Sequence, residues 1–449
     1  MTGTSNPEIV STRQQRIAEL AKQAPQRGFT SLNHHIDLRW LHEAYLRTRR
    51  DGAPGVDGQT AADYDANLPG NLQSLLGRAK SGTYRAPPVR RVHIPKGPGS
   101  VETRPLGIPT FEDKVLQRAV VMALEPIYEQ DFLDCSYGFR PGRSAHQALE
   151  ALWQNTMQMG GGWIVEVDIR KFFDTLDRAC LRDLLARRVR DGVLLRLIGK
   201  WLNAGVLEDG ELSYPDQGTP QGGVISPLLA NVYLHYVLDE WFEQEVQPRL
   251  RGRAFLIRYA DDFVMGFACE EDARRVLDVL PKRFGKYGLA IHPDKTRLVP
   301  FRAPPPTDRD SSGPGDRPGT FDFLGFTHHW GKSRQGKAVV VRQTSASRFN
   351  RAVKAIAEWC RRNRHRPLPE QHKALSQKLR GHYGYYGITG NSRALANLRH
   401  VVTGIWRKWL SRRSWAGWLS WLRFEGVRKQ FALPPPIVVH SVYRQAAKR

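Results

Sequence analysis

The feature that most restricts the fold of this chain is a pair of short apolar runs on either side of a polar break. The runs are FLIRY at 255–259 and DFVMGF at 262–267, and Ala260 and Asp261 lie between them. Two strand-like runs separated by so few residues predict an antiparallel β-hairpin with a tight turn. The hairpin places the carboxylates of Asp261 and Asp262 side by side, where their like charges repel each other.

Two explanations of this carboxylate pair compete. The local one is that aspartate tolerates turn conformations and accepts hydrogen bonds from nearby backbone N–H groups. The other involves residues 160–176, GGGWIVEVDIRKFFDTL, which are patterned as a strand and include Asp168. If this strand lies beside the hairpin, three carboxylates meet within a few ångströms. Hard divalent cations such as Mg²⁺ prefer oxygen ligands and would relieve that repulsion.

The rest of the chain mixes helical and strand patterns. Residues 84–109 predict a hairpin whose prolines restrict it to sheet edges, and FDFLGF at 321–326 is strand-like. Apolar residues at helical spacing predict helices within 12–23, 36–50, 111–133, 144–157, 178–202, 217–242, 347–364, 370–387 and 393–431. A Gly- and Pro-rich loop opens the segment 217–242. Residues 302–319, rich in proline and glycine, predict a mobile surface loop.

The net charge of +24 is concentrated at one end of the chain. Residues 331–449 contain 26 Lys and Arg against 3 Asp and Glu, together with six of the twelve tryptophans. Basic and aromatic residues concentrated in this way favour a nucleic-acid surface over a merely soluble basic tail. Trp415, Trp418 and Trp421 fall on one face of the predicted last helix, a pattern more typical of core packing than of base stacking.

Several other classes of protein are disfavoured. The four cysteines are far apart and form no CxxC pair, so neither a zinc ribbon nor a disulfide framework is expected. No apolar run reaches the roughly 18 to 20 residues of a membrane helix, so no membrane partner is expected. The first residues lack the pattern of a signal peptide, and we therefore expect a cytoplasmic protein.

At this point a series of motifs, in order, resembles a known family. The motifs are RRVHIPK with RPLGIPT (90–110), SYGFRPGRSAHQAL (136–149), VDIRKFFD (167–174), GTPQGGVISPLLANVYL (218–234), YADD (259–262), FDFLGF (321–326) and LRGHYGYYG (379–387). They look like those of bacterial group II intron reverse transcriptase/maturases over roughly residues 30–440. The relatives with a metal-bound HNH endonuclease carry paired cysteines for it. None follows here, so we expect no HNH domain and no second-strand nicking.

The resemblance implies an α+β fold, a right-hand polymerase of fingers, palm and thumb. The palm would be an antiparallel sheet with helices, and the thumb would be helical and basic. The implied boundaries are an N-terminal extension at 1–58, fingers at 59–160, a palm at 161–330 with the loop 302–319, and a thumb or maturase domain at 331–449. The resemblance does not define an oligomeric state.

The resemblance also implies a catalytic site with two Mg²⁺ ions, for which Mn²⁺ could substitute. Asp168 and Asp261 would ligate both ions, Asp262 would assist, and the backbone carbonyl of Ile169 would complete one site. Lys295 is similar to the lysine that protonates pyrophosphate in this family.

Substrate-binding residues are implied in the same way. Lys96 and Arg104 would clamp the triphosphate, although both could equally be exposed basic residues of a hairpin. Gln221 would contact the incoming nucleotide, and Tyr259 of YADD would be a further substrate-binding residue. Phe173 resembles the steric gate that excludes a ribose 2′-OH, and its alternative is a core phenylalanine. Because FF offers two rings, one could be core and the other the gate.

The function implied is RNA-directed DNA synthesis together with assistance to intron splicing and mobility. The partners would be group II intron RNA, an RNA template with a DNA primer, and dNTPs, with association to the nucleoid when the protein is on target DNA. Two alternatives stay open: a reverse transcriptase recruited by the host for defence or repair, and a catalytically idle RNA-binding maturase. A diguanylate cyclase shares the metal chemistry but does not explain the basic end.

Overall fold

The computed structural model describes residues 7–95, 97, 102–214, 218, 222–304, 319–333, 335–413 and 418–441. These residues form two compact units. The first unit takes the described residues of Met1–Ile94, Glu102–Ala148 and Val165–Leu298. The second unit takes those of Pro95–Val101, Leu149–Ile164 and Val299–Arg449. The division into an extension, fingers, palm and thumb stays a prediction.

Helices and strands alternate along the chain. The helices are α1 (Pro7–Gln23), α2 (Leu38–Leu46), α3 (Ala61–Asp65), α4 (Leu68–Ser81), α5 (Phe111–Asp131), α6 (Ala145–Met159), α7 (Phe172–Thr175), α8 (Arg178–Ala186), α9 (Gly192–Leu202), α10 (Ser226–Leu234), α11 (Glu270–Gly285), α12 (Ala346–Arg362), α13 (Leu368–Tyr386), α14 (Ser392–Leu410) and α15 (Trp421–Gln430). The strands are β1 (Val89–Pro95), β2 (Thr103–Ile108), β3 (Trp163–Val167), β4 (Val206–Glu208), β5 (Glu211–Ser213), β6 (Ala254–Tyr259), β7 (Asp262–Phe267), β8 (Arg297–Pro300), β9 (Phe321–Phe323), β10 (Phe326–Lys332) and β11 (Ala338–Thr344).

Helix α5 is the central helix at the start of the first unit, and the sequence predicted it. The side chain of Thr110 accepts the Asp113 N–H and caps the helix, and Glu112 lies in the first turn, where a carboxylate suits the helix dipole. Helices α1 and α2 pack against α5. The buried indole of Trp40 on α2 donates to the Ala119 carbonyl of α5 at 2.9 Å, which joins two elements far apart in sequence.

The predicted hairpin at 84–109 is confirmed as β1 and β2. These strands are neighbours in a four-stranded sheet of order β2-β1-β4-β5. Strand β2, which contains Pro105, is at the edge, as its missing N–H requires. Strand β1 is not at an edge, because it pairs in parallel with β4 through Val89 and Val206.

The sheet that carries the candidate site has the order β6-β7-β3-β8. Strands β6 and β7 form the predicted hairpin, with Tyr259 opposite Asp262. Strand β3 lies beside β7, so the predicted adjacency is confirmed. The strand predicted over 160–176 is shorter, because Lys171 adopts a left-handed conformation with φ 47° and the helix α7 follows it.

Two of the predicted long helices are divided or altered. The segment 178–202 forms α8 and α9, because Asp191 caps α9 by accepting the N–H groups of Val193 and Leu194. The other oxygen of Asp191 accepts the N–H groups of Leu32 and Asn33, both at 2.7 Å. Helix α10 continues in π-helical turns at His235–Asp239 and Trp241–Val246. None of the described helices is both long and apolar enough to span a membrane.

The second unit combines a sheet of order β11-β10-β9 with the helices α12 to α15. Residues 338–344, expected in the helical end, are strand β11. The predicted helix over 393–431 is two helices, α14 and α15. Trp418 and Trp421 are 71% and 52% exposed, so the prediction that they pack in the core is wrong. Trp406 of α14 is the buried tryptophan of this core instead. Trp415 and residues 305–318 lie outside the described residues.

Candidate active site

The turn at Ala260 and Asp261 forms because the strands on either side are fixed by their apolar residues. Phe255, Leu256 and Ile257 of β6 are buried, as are Phe263 to Phe267 of β7. The register leaves only two residues for the turn, and Ala260 takes the first position with φ 58°. A positive φ at that position is usual for glycine in hairpin turns and is strained for alanine. The fold therefore holds this turn in a conformation that the chain would not adopt by itself.

The carboxylate of Asp168 acts on that of Asp261. Burial raises the pKa of the Asp261 carboxyl, the Asp168 carboxylate raises it further, and the cations of Arg104 and Arg258 oppose this rise. Asp168 follows β3 directly, and Asp262 is the exposed first residue of β7. The raised pKa means that the Asp261 carboxyl holds its proton more tightly than an ordinary aspartate.

These residues suit a divalent cation by their chemistry. They offer carboxylate oxygens, the ligands that Mg²⁺ and Mn²⁺ prefer, and the Asp168 carboxylate disfavours the charged form of Asp261. Among the described residues, no group of three or more His, Cys, Asp or Glu side chains is already assembled around a common point. The described geometry thus supports a pair of carboxylates, with Asp262 and the buried Ile169 next to them in sequence.

Lys295 lies directly at Asp168. Its Nζ donates to Asp168 Oδ2 at 3.1 Å, and its side chain is 61% exposed. The loop that carries Lys295 is attached to the same aspartate, because the His292 N–H donates to the Asp168 carbonyl at 2.8 Å. The structure therefore brings this predicted residue to the site through backbone hydrogen bonds.

The two phenylalanines after Asp168 differ in burial, as the sequence analysis anticipated. Phe172 is 3% exposed and lies 6.3 Å from the Tyr233 ring. Phe173 is only partly buried, and its ring is 5.2 Å from that of Phe172. Both residues are on the short helix α7 rather than on a strand. Phe173 is thus the ring that stays accessible, and its role as a steric gate stays a prediction.

Two described glycines of the segment before α10 lie close to backbone. A Cβ on Gly218 would lie 2.6 Å from the Phe173 carbonyl oxygen. A Cβ on Gly222, whose φ is 120°, would lie 2.4 Å from the Gly107 carbonyl oxygen. Glycine is needed at both positions because any larger residue would clash with protein backbone there.

Of the remaining predicted substrate residues, two are described by the structure and two are not. Arg104 is exposed on β2, and its charge acts on Asp261. Tyr259 ends β6, and its ring is 6.3 Å from that of Phe139. Lys96 and Gln221 lie outside the described residues.

Sequence reasoning missed a buried charged pair under the turn. Arg258 and Asp239 are 0% and 0% exposed at the side chain, and the guanidinium contacts both carboxylate oxygens, at 2.8 and 2.6 Å. The signal in the sequence was an arginine at a buried position of the apolar run FLIRY. Its partner is not evident from the sequence, because Asp239 lies on the π-helical extension of α10.

The second unit carries a basic and aromatic surface along α14. Two open cavities of about 330 and 810 Å³ share Ala396 and His400 in their linings. Cationic residues in these linings are Arg393, Arg399, Arg428 and Lys429. Nearby, the guanidinium of Arg407 lies 4.2 Å from the centroid of the exposed Trp421 ring. We call the residues of these two linings the α14 groove.

Comparison with known proteins shows which chains this one is similar to. The family described as reverse transcriptase (RNA-dependent DNA polymerase) matches residues 94–328. Protein YkfC of Escherichia coli is 36% identical over 330 residues, which are 65% of this chain and 84% of that protein. The group II intron-encoded protein LtrA of Lactococcus lactis is 47% identical over 284 residues, 60% of this chain and 46% of LtrA. Nuclear intron maturase 2 of Arabidopsis thaliana is 31% identical over 181 residues, 31% of this chain and 24% of that protein. The chain thus spans less than half the length of the two intron-related proteins.

Proposed function

The chain belongs to the reverse transcriptase family, with group II intron reverse transcriptase/maturases among its relatives, and we propose that it is an RNA-directed DNA polymerase that also assists intron splicing and mobility. Its fold, an antiparallel sheet with helices, is that of a right-hand polymerase. The observation that carries the proposal is the placement of Asp168 and Asp261 at the ends of neighbouring strands, where the cation of Arg104 also acts on Asp261. This is the arrangement that nucleotidyl transfer requires: ligands for divalent cations beside a positive group for a triphosphate.

In this proposal Asp168 and Asp261 hold Mg²⁺ or Mn²⁺, with Asp262 and the Ile169 carbonyl in support. Bound divalent cations supply activation of a primer 3′-hydroxyl and charge neutralisation on the leaving pyrophosphate. Arg104 and Lys96 bind the triphosphate, and a guanidinium on β2 suits phosphate oxygens. Lys295 donates a proton to pyrophosphate from its Nζ.

The other substrate residues orient the incoming nucleotide. Phe173, the accessible ring of its pair, excludes a 2′-hydroxyl and so selects dNTPs. Gln221 and Tyr259 contact the incoming nucleotide. The support for these roles is the placement of Phe173 and Tyr259 in the first unit, which also contains the carboxylates.

The α14 groove and the exposed Trp418 and Trp421 bind folded RNA in this proposal. Folded RNA is recognised by its phosphates, 2′-hydroxyls and shape, which suit dispersed cations and accessible aromatic rings. The names of the relatives, an intron-encoded protein and an intron maturase, favour group II intron RNA as this partner. Splicing assistance would then be stabilisation of the active intron fold.

Primer extension on an RNA template with dNTPs and Mg²⁺ tests the polymerase proposal. The chain should extend the primer, and Asp261→Asn should lower the rate by about 10³-fold or more, since several kcal/mol of charge stabilisation are removed. The variant should bind folded RNA with unchanged affinity, because the α14 groove is intact. Extension by Asp261→Asn at the wild-type rate would contradict the assigned site. In a separate splicing assay, the chain should raise the splicing rate of a group II intron RNA. An unchanged rate would contradict the splicing activity alone.

A further inference from the structure

We propose that Arg258 is a positioning residue for the polymerase reaction. With Asp239 and Asn231 it holds the turn of Ala260 and Asp261 in place, and so fixes the direction of the Asp261 carboxylate. The inference rests on the proposed function of Asp261 and adds to it a buried group that touches neither substrate nor metal.

The guanidinium of Arg258 uses its donors on two different tasks. Nε and Nη2 donate to the two carboxylate oxygens of Asp239, at 2.8 and 2.6 Å, which neutralises a charge that is 0% exposed. Nη1 donates to Asn231 Oδ1 at 2.9 Å and to the Ala260 carbonyl at 3.0 Å. The bidentate ion pair with Asp239 thus fixes the plane of the guanidinium and directs Nη1 at the turn.

The bond to the Ala260 carbonyl determines the orientation of the next residue. That carbonyl and the Asp261 N–H belong to one planar peptide unit, so holding the oxygen also holds the Asp261 Cα and the start of its side chain. The constraint is needed because Ala260 has φ 58°, a conformation that alanine leaves readily unless its surroundings maintain it.

The other side of the turn is backed by the segment that contains Gly138. The Arg258 N–H donates to the Cys135 carbonyl at 2.8 Å, and the Tyr137 N–H donates to the Arg258 carbonyl at 2.9 Å. Asn231 Nδ2 donates to the Gly138 carbonyl at 2.7 Å. A Cβ on Gly138 would lie 2.3 Å from the Ala260 nitrogen, so backbone meets backbone there.

A comparable pair elsewhere in the first unit provides a matched control. Arg188 is 3% exposed at its side chain, pairs with Asp131 at 2.7 Å, and donates to the carbonyls of Ala21, Ala24 and Arg27. Its burial is similar and its partners are of the same kind, a carboxylate and backbone carbonyls, but these carbonyls belong to no part of the proposed site. A purely structural role for Arg258 would make the two arginines equivalent.

The test compares Arg258→Lys with Arg188→Lys in primer extension, with rates normalised to the folded fraction. Lysine keeps the charge but cannot bind Asp239 in bidentate fashion and also reach Ala260. For Arg258→Lys we expect kcat to fall by about 100-fold, the effect of a misplaced reacting group, with the KM for dNTP nearly unchanged. The Mg²⁺ concentration for half-maximal rate should rise. Arg188→Lys should change neither kcat nor the Mg²⁺ concentration for half-maximal rate.

A second variant keeps the inference testable if Arg258→Lys does not fold. Asn231→Ala retains the ion pair and removes the link to Gly138, and it should raise the Mg²⁺ requirement in the same direction with a smaller loss of kcat. Wild-type extension with an unchanged Mg²⁺ requirement in the folded variants would overturn this inference alone. Absence of extension by the wild-type chain would overturn the proposed function and this inference together.

Discussion

The turn at Asp261 and the α14 groove use charge in opposite ways. At the turn, a few charged groups have fixed positions. Arg258 is fully buried and its guanidinium hydrogen-bonds to the Ala260 carbonyl, and Asp261 follows Ala260 on a strained turn. In the α14 groove, several cationic side chains line open cavities, and the groove does not depend on the position of any single one. The first arrangement depends on where each group lies, and the second depends on how many groups there are.

The difference follows from what each region has to stabilise. Charge that develops on particular atoms during a reaction is stabilised only by groups that are already in position. A polyanion is bound by displacing counterions, and each additional cation contributes a similar increment. Substitutions that move a group slightly should therefore be severe in the first region and graded in the second.

The largest effect should come from one added methyl group at the turn. Gly138→Ala places a Cβ 2.3 Å from the Ala260 nitrogen, so backbone must shift and the Asp261 carboxylate moves with it. We expect primer extension to fall by about 100-fold or more, as for a displaced reacting group. The control is Gly199→Ala in α9, where a Cβ would meet nothing within 4 Å. Equal activity of the two folded variants would remove the contrast between the regions.

A graded effect should follow from charge removal in the α14 groove. Replacing Arg393, Arg399 and Lys429 together with glutamine should weaken RNA binding. The slope of log affinity against log salt should become shallower by about 0.7 to 0.9 for each lost phosphate contact. The rate at saturating RNA should be unchanged. Filter binding over a range of salt concentrations measures the affinity and its slope, and primer extension at saturating RNA measures the rate.

An equal loss of charge elsewhere is the matched control for that variant. Arg274, Arg275 and Lys282 are exposed on α11 of the first unit. Their triple replacement with glutamine should leave the slope nearly as in the wild type. If the two triple variants behave alike, RNA responds to total charge rather than to the groove.

The smallest effect concerns a buried acid of the first unit away from the turn. Asp113 on α5 is 1% exposed, its Oδ1 accepts from Trp201 Nε1 at 3.2 Å, and burial raises its pKa to about 7. The folded chain thus keeps a proton that the unfolded chain releases near pH 4, so this contribution to stability is lost as the pH rises from about 4 to about 7.

Asp113→Asn removes that dependence. Its free energy of unfolding relative to the wild type should improve by about 2 kcal/mol between pH 5 and pH 8, measured by urea denaturation. Asp134→Asn, whose side chain is 94% exposed, is the control and should show no such trend. If the difference in unfolding free energy between Asp113→Asn and the wild type does not change with pH, burial of Asp113 does not affect the stability of the chain.

Local patterns were sufficient to predict the hairpin of β6 and β7, the hairpin of β1 and β2, and the helix α5. Each depends on neighbours in sequence: alternating burial, a tight break, or a capping residue before an apolar repeat. The position of β3 beside β7 followed from a chemical argument, that carboxylates on two strands make sense when they share a cation. Phe173 as the accessible ring of its pair also agreed.

The errors arose where distant residues decide the outcome. The break between α8 and α9 depends on Asp191, whose carboxylate also binds Leu32 and Asn33, more than 150 positions away. Trp418 and Trp421 were assigned to a core because one continuous helix was assumed, and the end of α14 at Leu410 removes that periodicity. The pairing of Arg258 with Asp239 joins a strand to a helix extension, and no local pattern reports it.

Anomalous scattering from Mn²⁺ in crystals with RNA template, DNA primer and a non-reactive dNTP tests the central claim most directly. We expect a manganese peak within coordination distance of carboxylate oxygens from both Asp168 and Asp261, and loss of that peak in Asp168→Asn. A peak that contacts only one of the two residues, or none at the end of β3, would contradict the claim that these strands share a catalytic cation.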